Sequence, residues 1–100
     1  MKNALITKTV NHIKANINLF EGVKITMTQK VHANYEITET KTYTYLADKD
    51  KFYYTHGGIV GMMDADEAME SIFNTIELLG SYDSIKVENH GKVIADMKRI

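Results

Sequence analysis

The sequence contains no cysteine and no proline among its 100 residues. Without cysteine the chain forms no disulfide, has no thiol nucleophile and offers no cysteine ligand to zinc. Disulfide-stabilised secreted domains, thiol enzymes and cysteine-based zinc modules are therefore excluded. The same absence agrees with a reducing compartment, and we expect a cytoplasmic location.

Long hydrophobic runs are also missing. The N-terminal stretch places Leu5 and Ile6 together, but polar residues interrupt it before the hydrophobic core of a signal peptide could form. No other stretch approaches the roughly 20 apolar residues of a membrane-spanning helix. We therefore expect no membrane partner.

The composition is that of a globular protein. Apolar residues make up 44% of the chain, with six tyrosines and three phenylalanines among them. A chain of this length has room for one hydrophobic core and buries enough surface to fold independently. The sequence, which has no repeat or low-complexity tract, predicts a single domain over residues 1–100.

Charge is balanced overall but uneven along the chain. The net charge is −1, which gives no general attraction to nucleic acid. Residues 1–56 carry eight lysines and five acids, whereas residues 57–100 carry four basic residues and eight acids. Residues 64–79 contain five acids and no base. Such a stretch is usually a solvated helix face, but it also suits a basic partner.

The N-terminal half predicts one helix followed by strands. Apolar residues recur at helical spacing from Ile6 to Phe20, with Asn3 as a cap and Gly22 as the end. From Val23 the pattern alternates with a period of two, which indicates a strand, a turn at residues 32–34 and a threonine-rich second strand. A third strand begins at Phe52 after the turn sequence at residues 47–51.

The C-terminal half predicts a second helix and a hairpin. An apolar stripe runs from Ala68 to Leu79, preceded by the capping-box pair Asp64 and Glu67 and followed by Gly80. Two short strands then meet at residues 89–91. These elements predict an α+β two-layer sandwich, in which two helices cover one face of an antiparallel sheet of about five strands (order α-β-β-β-α-β-β).

A glycine-rich loop joins the third strand to the second helix. Strand, glycine loop and helix are the parts of a phosphate-binding site, but the "GGIVG" spacing at residues 57–61 matches no phosphate-binding fingerprint. Carboxylates at the helix start would repel an anion. We interpret the loop as a turn, with its four apolar residues as a buried anchor: Ile59, Val60, Met62 and Met63.

The histidines and acids show no catalytic or metal-binding pattern. No histidine pair has metal-ligand spacing, and the acids from Asp64 lack the glycine that a calcium loop requires at its sixth position. The serines stand in no nucleophile elbow. We therefore predict no enzyme, no cofactor and no metal. Tyr54 and His56 are the candidates for a small pocket, since aromatic residues and glycine flank the histidine.

The strand tyrosines allow two interpretations. Tyr35, Tyr43 and Tyr45 share one strand face with Ile37, and Lys41 lies among them. Aromatic residues and lysine on an exposed sheet can stack single-stranded bases. Because the alternate positions are mostly threonine and better suited to solvent, we favour tyrosines that face the core beneath the helices.

The main functional hypothesis is a small non-enzymatic regulator or inhibitor that acts by contact with another protein, in the style of antagonists encoded by viruses or mobile elements. The threonine-rich strand could also pair with a second copy at a sheet edge to form a homodimer. An acidic helix surface could bind a basic partner through four residues: Asp66, Glu67, Glu70 and Glu77.

The alternative is a module that binds single-stranded nucleic acid through the basic half of the chain. Its phosphate contacts would come from five lysines, together with the strand tyrosines: Lys8, Lys14, Lys24, Lys30 and Lys41. Binding of this kind weakens steeply as the salt concentration rises, which distinguishes it from contact with a protein.

Overall fold

The computed structural model describes residues 4–79 and 81–98 and confirms the predicted fold class. Two helices accompany one antiparallel sheet, in the predicted order except that the sheet has six strands. The elements are α1 (Ala4–Asn16), a short 3₁₀ turn (Leu19–Glu21), β1 (Val23–His32), β2 (Tyr35–Leu46), β3 (Lys51–His56), β4 (Ile59–Met63), α2 (Ala65–Ile76), β5 (Ser84–Asn89) and β6 (Lys92–Lys98).

The additional strand is β4, which the sequence interpretation assigned to a buried loop anchor. That interpretation is wrong. The glycine loop makes a hairpin in which Gly57 has a φ of 60°, and β4 then pairs along its whole length with β3. Its apolar residues lie at the sheet edge, where Ile59, Val60 and Met62 are exposed and Met63 is half-buried.

The strands follow the order β4-β3-β2-β1-β5-β6, and every neighbouring pair is antiparallel. The threonine-rich β2 therefore lies inside the sheet, with β1 on one side and β3 on the other. Its pairing with β3 begins only at Lys41, so residues 35–40 have a neighbouring strand on one side only, and the expectation that this strand pairs with a second copy stays a prediction. The outermost strands of the described sheet are β4 and β6.

Both helices pack on the same face of the sheet, which we call the helix side; the opposite face is the open face. From α1 the core receives Ile13, and α2 contributes Ala68, Ile72 and Ile76. Each buried isoleucine among them stabilises the fold by roughly 1.5–3 kcal/mol. The sheet contributes residues from four central strands: Val23, Ile25, Met27, Tyr43, Phe52, Ile85 and Val87.

The first helix is shorter than its apolar stripe suggests. It ends at Asn16, and the 3₁₀ turn that follows buries Leu19 instead of Phe20. The Phe20 ring still packs on the rings of Tyr45 and Phe52, with centroids 4.8 and 5.6 Å away. Gly22 ends this segment with a φ of 90°, as predicted, whereas the cap predicted at Asn3 lies outside the described residues.

The second helix begins as predicted and ends early. The Asp64 side chain accepts a hydrogen bond from the Glu67 N–H, and the Glu67 side chain accepts one from the Asp64 N–H, which completes the capping box. These bonds lower the pKa of Asp64, and the bond from the Glu67 backbone N–H has the largest effect. The helix ends at Ile76, so Leu79 lies in the turn after it; Gly80 is outside the described residues.

Buried Asn89 joins the end of β5 to the connection between α1 and β1. Its Oδ1 accepts a hydrogen bond from the Asn18 N–H at 2.6 Å, and its Nδ2 donates to the carbonyl oxygens of Asn18 and Gly22 at 2.9 and 2.7 Å. The hairpin that follows turns through His90 and Gly91, both with positive φ. The connection after α1 is thereby fixed to the end of β5.

Both described helices fall short of the length and apolarity that a membrane-crossing helix requires.

Candidate functional site

The hairpin of β1 and β2 extends beyond the rest of the sheet. On one side, β5 pairs with β1 only as far as Thr28. On the other, β3 pairs with β2 only from Lys41 onward. Every residue from 29 to 38 is exposed, and we call this segment the arm. The molecule is 45 Å along its longest axis and 25 Å along its shortest, an elongation to which the arm contributes.

The arm follows from the lengths of the elements. β2 has 12 residues and spans roughly 40 Å at the rise of a β-strand. α2 also has 12 residues but spans only about 18 Å at the rise of a helix. A helix of that length covers less than half of the strand beneath it. The distal part of the hairpin therefore extends into solvent.

The arm exposes three large apolar side chains. Val31 is 54% exposed, Tyr35 is 50% exposed and Ile37 is 40% exposed. Tyr35 and Ile37 continue the same strand face as buried Tyr43, as their spacing predicts. The expectation that they belong to the core is nevertheless wrong, because neither helix reaches them. His32 packs its ring on Tyr35, with centroids 5.8 Å apart.

Polar contacts anchor the base of the arm to the core. The Tyr82 hydroxyl donates a hydrogen bond to Glu39 Oε2, and His56 Nε2 lies 3.4 Å from Glu39 Oε1. On the opposite strand, the Asp83 N–H donates to the Thr28 carbonyl oxygen at 2.8 Å. The Asp83 carboxylate accepts a hydrogen bond from the N–H of Lys30, two residues after Thr28, at 2.5 Å. The segment after α2 thus contacts both β1 and β2 at the base of the arm.

These contacts favour an ionised carboxylate at Glu39. The hydrogen bond from Tyr82 is the main cause that lowers the pKa of Glu39, and His56 and Lys41 add to it. The same bond raises the pKa of the Tyr82 hydroxyl. Lys41, directly beneath α2, donates to Thr75 Oγ1 at 2.9 Å, and burial lowers its pKa. Sequence reasoning did not identify Glu39 or Tyr82 as partners, since 43 residues separate them.

The four predicted partner-binding acids lie together on α2 and at its C-terminal end, and all of them are exposed. The helix begins beside Met63 and runs toward the base of the arm, where Tyr82 reaches Glu39. The acidic surface therefore leads from the far end of the sheet to the arm. Its residues are Asp66, Glu67, Glu70 and Glu77.

The five predicted nucleic-acid-binding lysines do not form one surface. Lys24 and Lys30 alternate with the buried residues of β1 and belong to the open face, whereas Lys41 is half-buried on the helix side. Lys8 and Lys14 are on α1, where the Lys14 ammonium lies 5.1 Å from the centroid of the Phe73 ring of α2. These lysines of the N-terminal half are therefore divided between the two faces of the sheet.

The predicted pocket residues lie side by side on the helix side of β3. Tyr54 is half-buried and packs on Tyr43 with ring centroids 5.2 Å apart, while His56 faces Glu39. A nearby open groove of about 440 Å³ is lined by other residues, namely Lys41, Met63, Glu67, Glu70, Ser71, Asn74, Thr75 and Leu78. Its Ser71 hydroxyl is 2.6 Å from the Tyr43 hydroxyl. The histidine and the serine thus have separate partners.

Over residues 4–79 and 81–98, no group of three or more histidine, aspartate or glutamate side chains is arranged to hold a metal ion.

No protein-family model, no curated protein and no solved structure matches this chain.

Proposed function

We propose that this protein is a non-enzymatic regulator or inhibitor that acts by binding another protein. The observation that carries the proposal is the arm, a ten-residue segment whose large apolar side chains are exposed instead of contributing to the core. Exposed apolar side chains grouped on a projecting element are typical of binding surfaces. Tyrosine is among the residue types enriched at protein–protein interfaces.

The chemistry of the partner follows from the two surfaces on the helix side. The arm presents Tyr35 and Ile37, which suit an apolar cleft. The acidic surface of α2 leads to the base of the arm and suits a basic rim beside that cleft. We therefore expect the arm to supply most of the affinity and the acids to accelerate association.

The nucleic-acid alternative has less support. Stacking of bases requires aromatic rings on an open surface. Tyr43 is buried, and Tyr45 packs on Phe20 and Phe52. Lys41, which the alternative needs beside those rings, donates its hydrogen bond beneath α2. We therefore carry the protein-binding function forward.

A binding assay with two classes of variant tests the proposal. Tyr35→Ser combined with Ile37→Ser should weaken partner binding by at least about tenfold, mainly through faster dissociation. Asp66→Lys combined with Glu70→Lys should slow association, with an effect that decreases as salt is added. Val93→Ser, which truncates an exposed valine of β6 outside the arm, is the matched control and should bind normally. Unchanged affinity in the arm variant would overturn the proposal.

A further inference from the structure

The two outermost strands of the described sheet, β4 and β6, differ in how well they are protected against pairing with other strands. β6 carries charged residues along its length, Lys92, Asp96 and Lys98, and its register with β5 is irregular between Val87 and Glu88. Charged side chains and bulges are the features by which sheet edges avoid association. The β6 edge is therefore protected against pairing with another strand.

The β4 edge has none of these features. Its sequence, Ile-Val-Gly-Met-Met, has no charge and no proline, and its register with β3 is regular from end to end. Ile59 is 65% exposed and Val60 is 59% exposed, on opposite faces of the sheet. A regular, apolar, uncharged edge strand is a template for addition of another strand.

We propose that β4 pairs with β4 of a second copy of this chain, antiparallel and centred on Gly61. The strand is complementary to itself about this residue. On the open face Val60 would lie opposite the partner's Met62, and on the helix side Ile59 would lie opposite the partner's Met63. Gly61 would face the partner's Gly61, where the absence of side chains lets the two backbones approach freely.

Charge does not oppose this pairing. The acidic start of α2 follows β4 directly, so a poorly placed axis would bring two sets of carboxylates together. With Gly61 on the axis, Asp64 instead lies opposite the partner's Gly58, an uncharged turn residue. The pairing joins two six-stranded sheets into one. The protected β6 strands of the two copies then lie at the two ends of the combined sheet. Because each copy has a single β4, pairing through this strand stops at two copies.

The size of the contact sets the expected affinity. A strand of five residues buries less than the roughly 800 Å² per partner of a standard interface. Main-chain hydrogen bonds and apolar contacts from both faces hold it together. We expect a dissociation constant of about 1–100 μM, so the dimer forms at the concentrations used for sedimentation and dissociates on dilution.

Sedimentation equilibrium over a range of concentrations tests the proposal with a matched pair of variants. Val60 and Val93 occupy opposite ends of one row of paired residues across the sheet, which runs through Thr55, Thr42, Lys24 and Glu88. Val60→Lys should weaken self-association by about tenfold or more, because it places a charge against the partner's apolar side chains. Val93→Lys should leave it unchanged. Equal effects of the two substitutions on self-association, or a wild-type protein that is monomeric at every concentration, would overturn the proposal.

A crosslinking measurement tests the axis itself. The chain has no cysteine, and a Cβ added at Gly61 meets nothing within 4 Å. Residues directly opposite in an antiparallel pair have Cα atoms about 4.5–5.5 Å apart, within the range for a disulfide. Gly61→Cys should therefore form a disulfide-linked dimer rapidly under mild oxidation, and Val93→Cys should not. Equal rates for the two variants, or mass increasing beyond two chains, would contradict the arrangement.

Discussion

The Tyr82 hydroxyl donates a hydrogen bond to the Glu39 carboxylate, which joins the segment after α2 to β2 at the base of the arm. Both residues lie where the cover of the sheet by α2 ends and the exposed arm begins. The contact therefore holds the orientation of the arm relative to the core. A docking element that projects from a sheet needs such a fixed base, because an ordered arm loses less entropy on binding.

Tyr82→Phe removes this hydrogen bond and keeps the ring. We expect the free energy of unfolding to decrease by about 1–2 kcal/mol, since the bond is charge-assisted but partly open to solvent. Denaturation by urea measures the change. Tyr45→Phe, which removes the hydroxyl that donates a hydrogen bond to Asp50 in an exposed loop, is the control and should decrease the free energy of unfolding less.

The same pair makes a prediction about pH. The pKa of Glu39 is lowered in the folded state, so its contribution to stability is complete above the pKa of an unfolded glutamate. That contribution disappears as the pH falls through the lowered folded-state value. The difference in stability between wild type and Tyr82→Phe should therefore shrink in acid. A difference that stays constant across this range would mean that the bond does not depend on an ionised carboxylate.

Asn89→Ala should be among the most destabilising substitutions of a polar residue. Three hydrogen bonds to the segment between α1 and β1 are lost, and the freed backbone groups lie at a partly buried site. We expect a loss of about 2–4 kcal/mol in the free energy of unfolding, measured by thermal or urea denaturation. Asn74→Ala, on the exposed face of α2, is the matched control and should change stability little.

Lys41→Met should leave the protein as stable or more stable. Burial disfavours the charged ammonium, and Thr75 Oγ1 keeps a hydrogen bond of its own to the Ser71 carbonyl oxygen. We expect a change between zero and about +1 kcal/mol in the free energy of unfolding. Because the folded-state pKa of Lys41 is lowered, wild-type stability should rise with pH between the folded and unfolded values, and the variant should lose this increase. Clear destabilisation would identify Lys41 as a net stabilising partner of Glu39.

Substitutions in the arm should separate stability from function. Ile37→Ser alters an exposed side chain and should change the free energy of unfolding by no more than about 0.5 kcal/mol. Ile25→Ser, on the neighbouring strand beneath the helices, should cost about 3 kcal/mol or more, because it leaves a cavity and buries a hydroxyl. Comparable losses in urea denaturation would place Ile37 in the core and remove the basis of the proposed function.

Much of the fold follows from local patterns in the sequence. The helical spacing of Ile72 and Ile76, the Asp64 and Glu67 pair and the turn at Gly91 each specify their structure within a few residues. β4 was missed because its apolar run does not alternate, so the pattern does not distinguish a buried segment from an exposed edge. The difference depends on whether another strand lies beyond it, which is a property of the assembled sheet.

The arm was missed for a related reason. Tyr35 and Ile37 continue the alternation of buried Tyr43 without interruption, so the pattern alone extends the core along the whole strand. The available signal was length, since a strand rises about twice as far per residue as a helix. The link between Glu39 and Tyr82 carried no such signal, because it depends on where the segment after α2 returns to the sheet.

Affinity capture from the cells that naturally produce this protein tests the central claim most directly, with wild type and the Tyr35→Ser/Ile37→Ser variant compared before and after nuclease treatment. The account predicts one protein bound in stoichiometric amount by wild type, resistant to nuclease and absent from the variant. Equal capture by both proteins, or retention only of nucleic acid that is released at high salt, would contradict it.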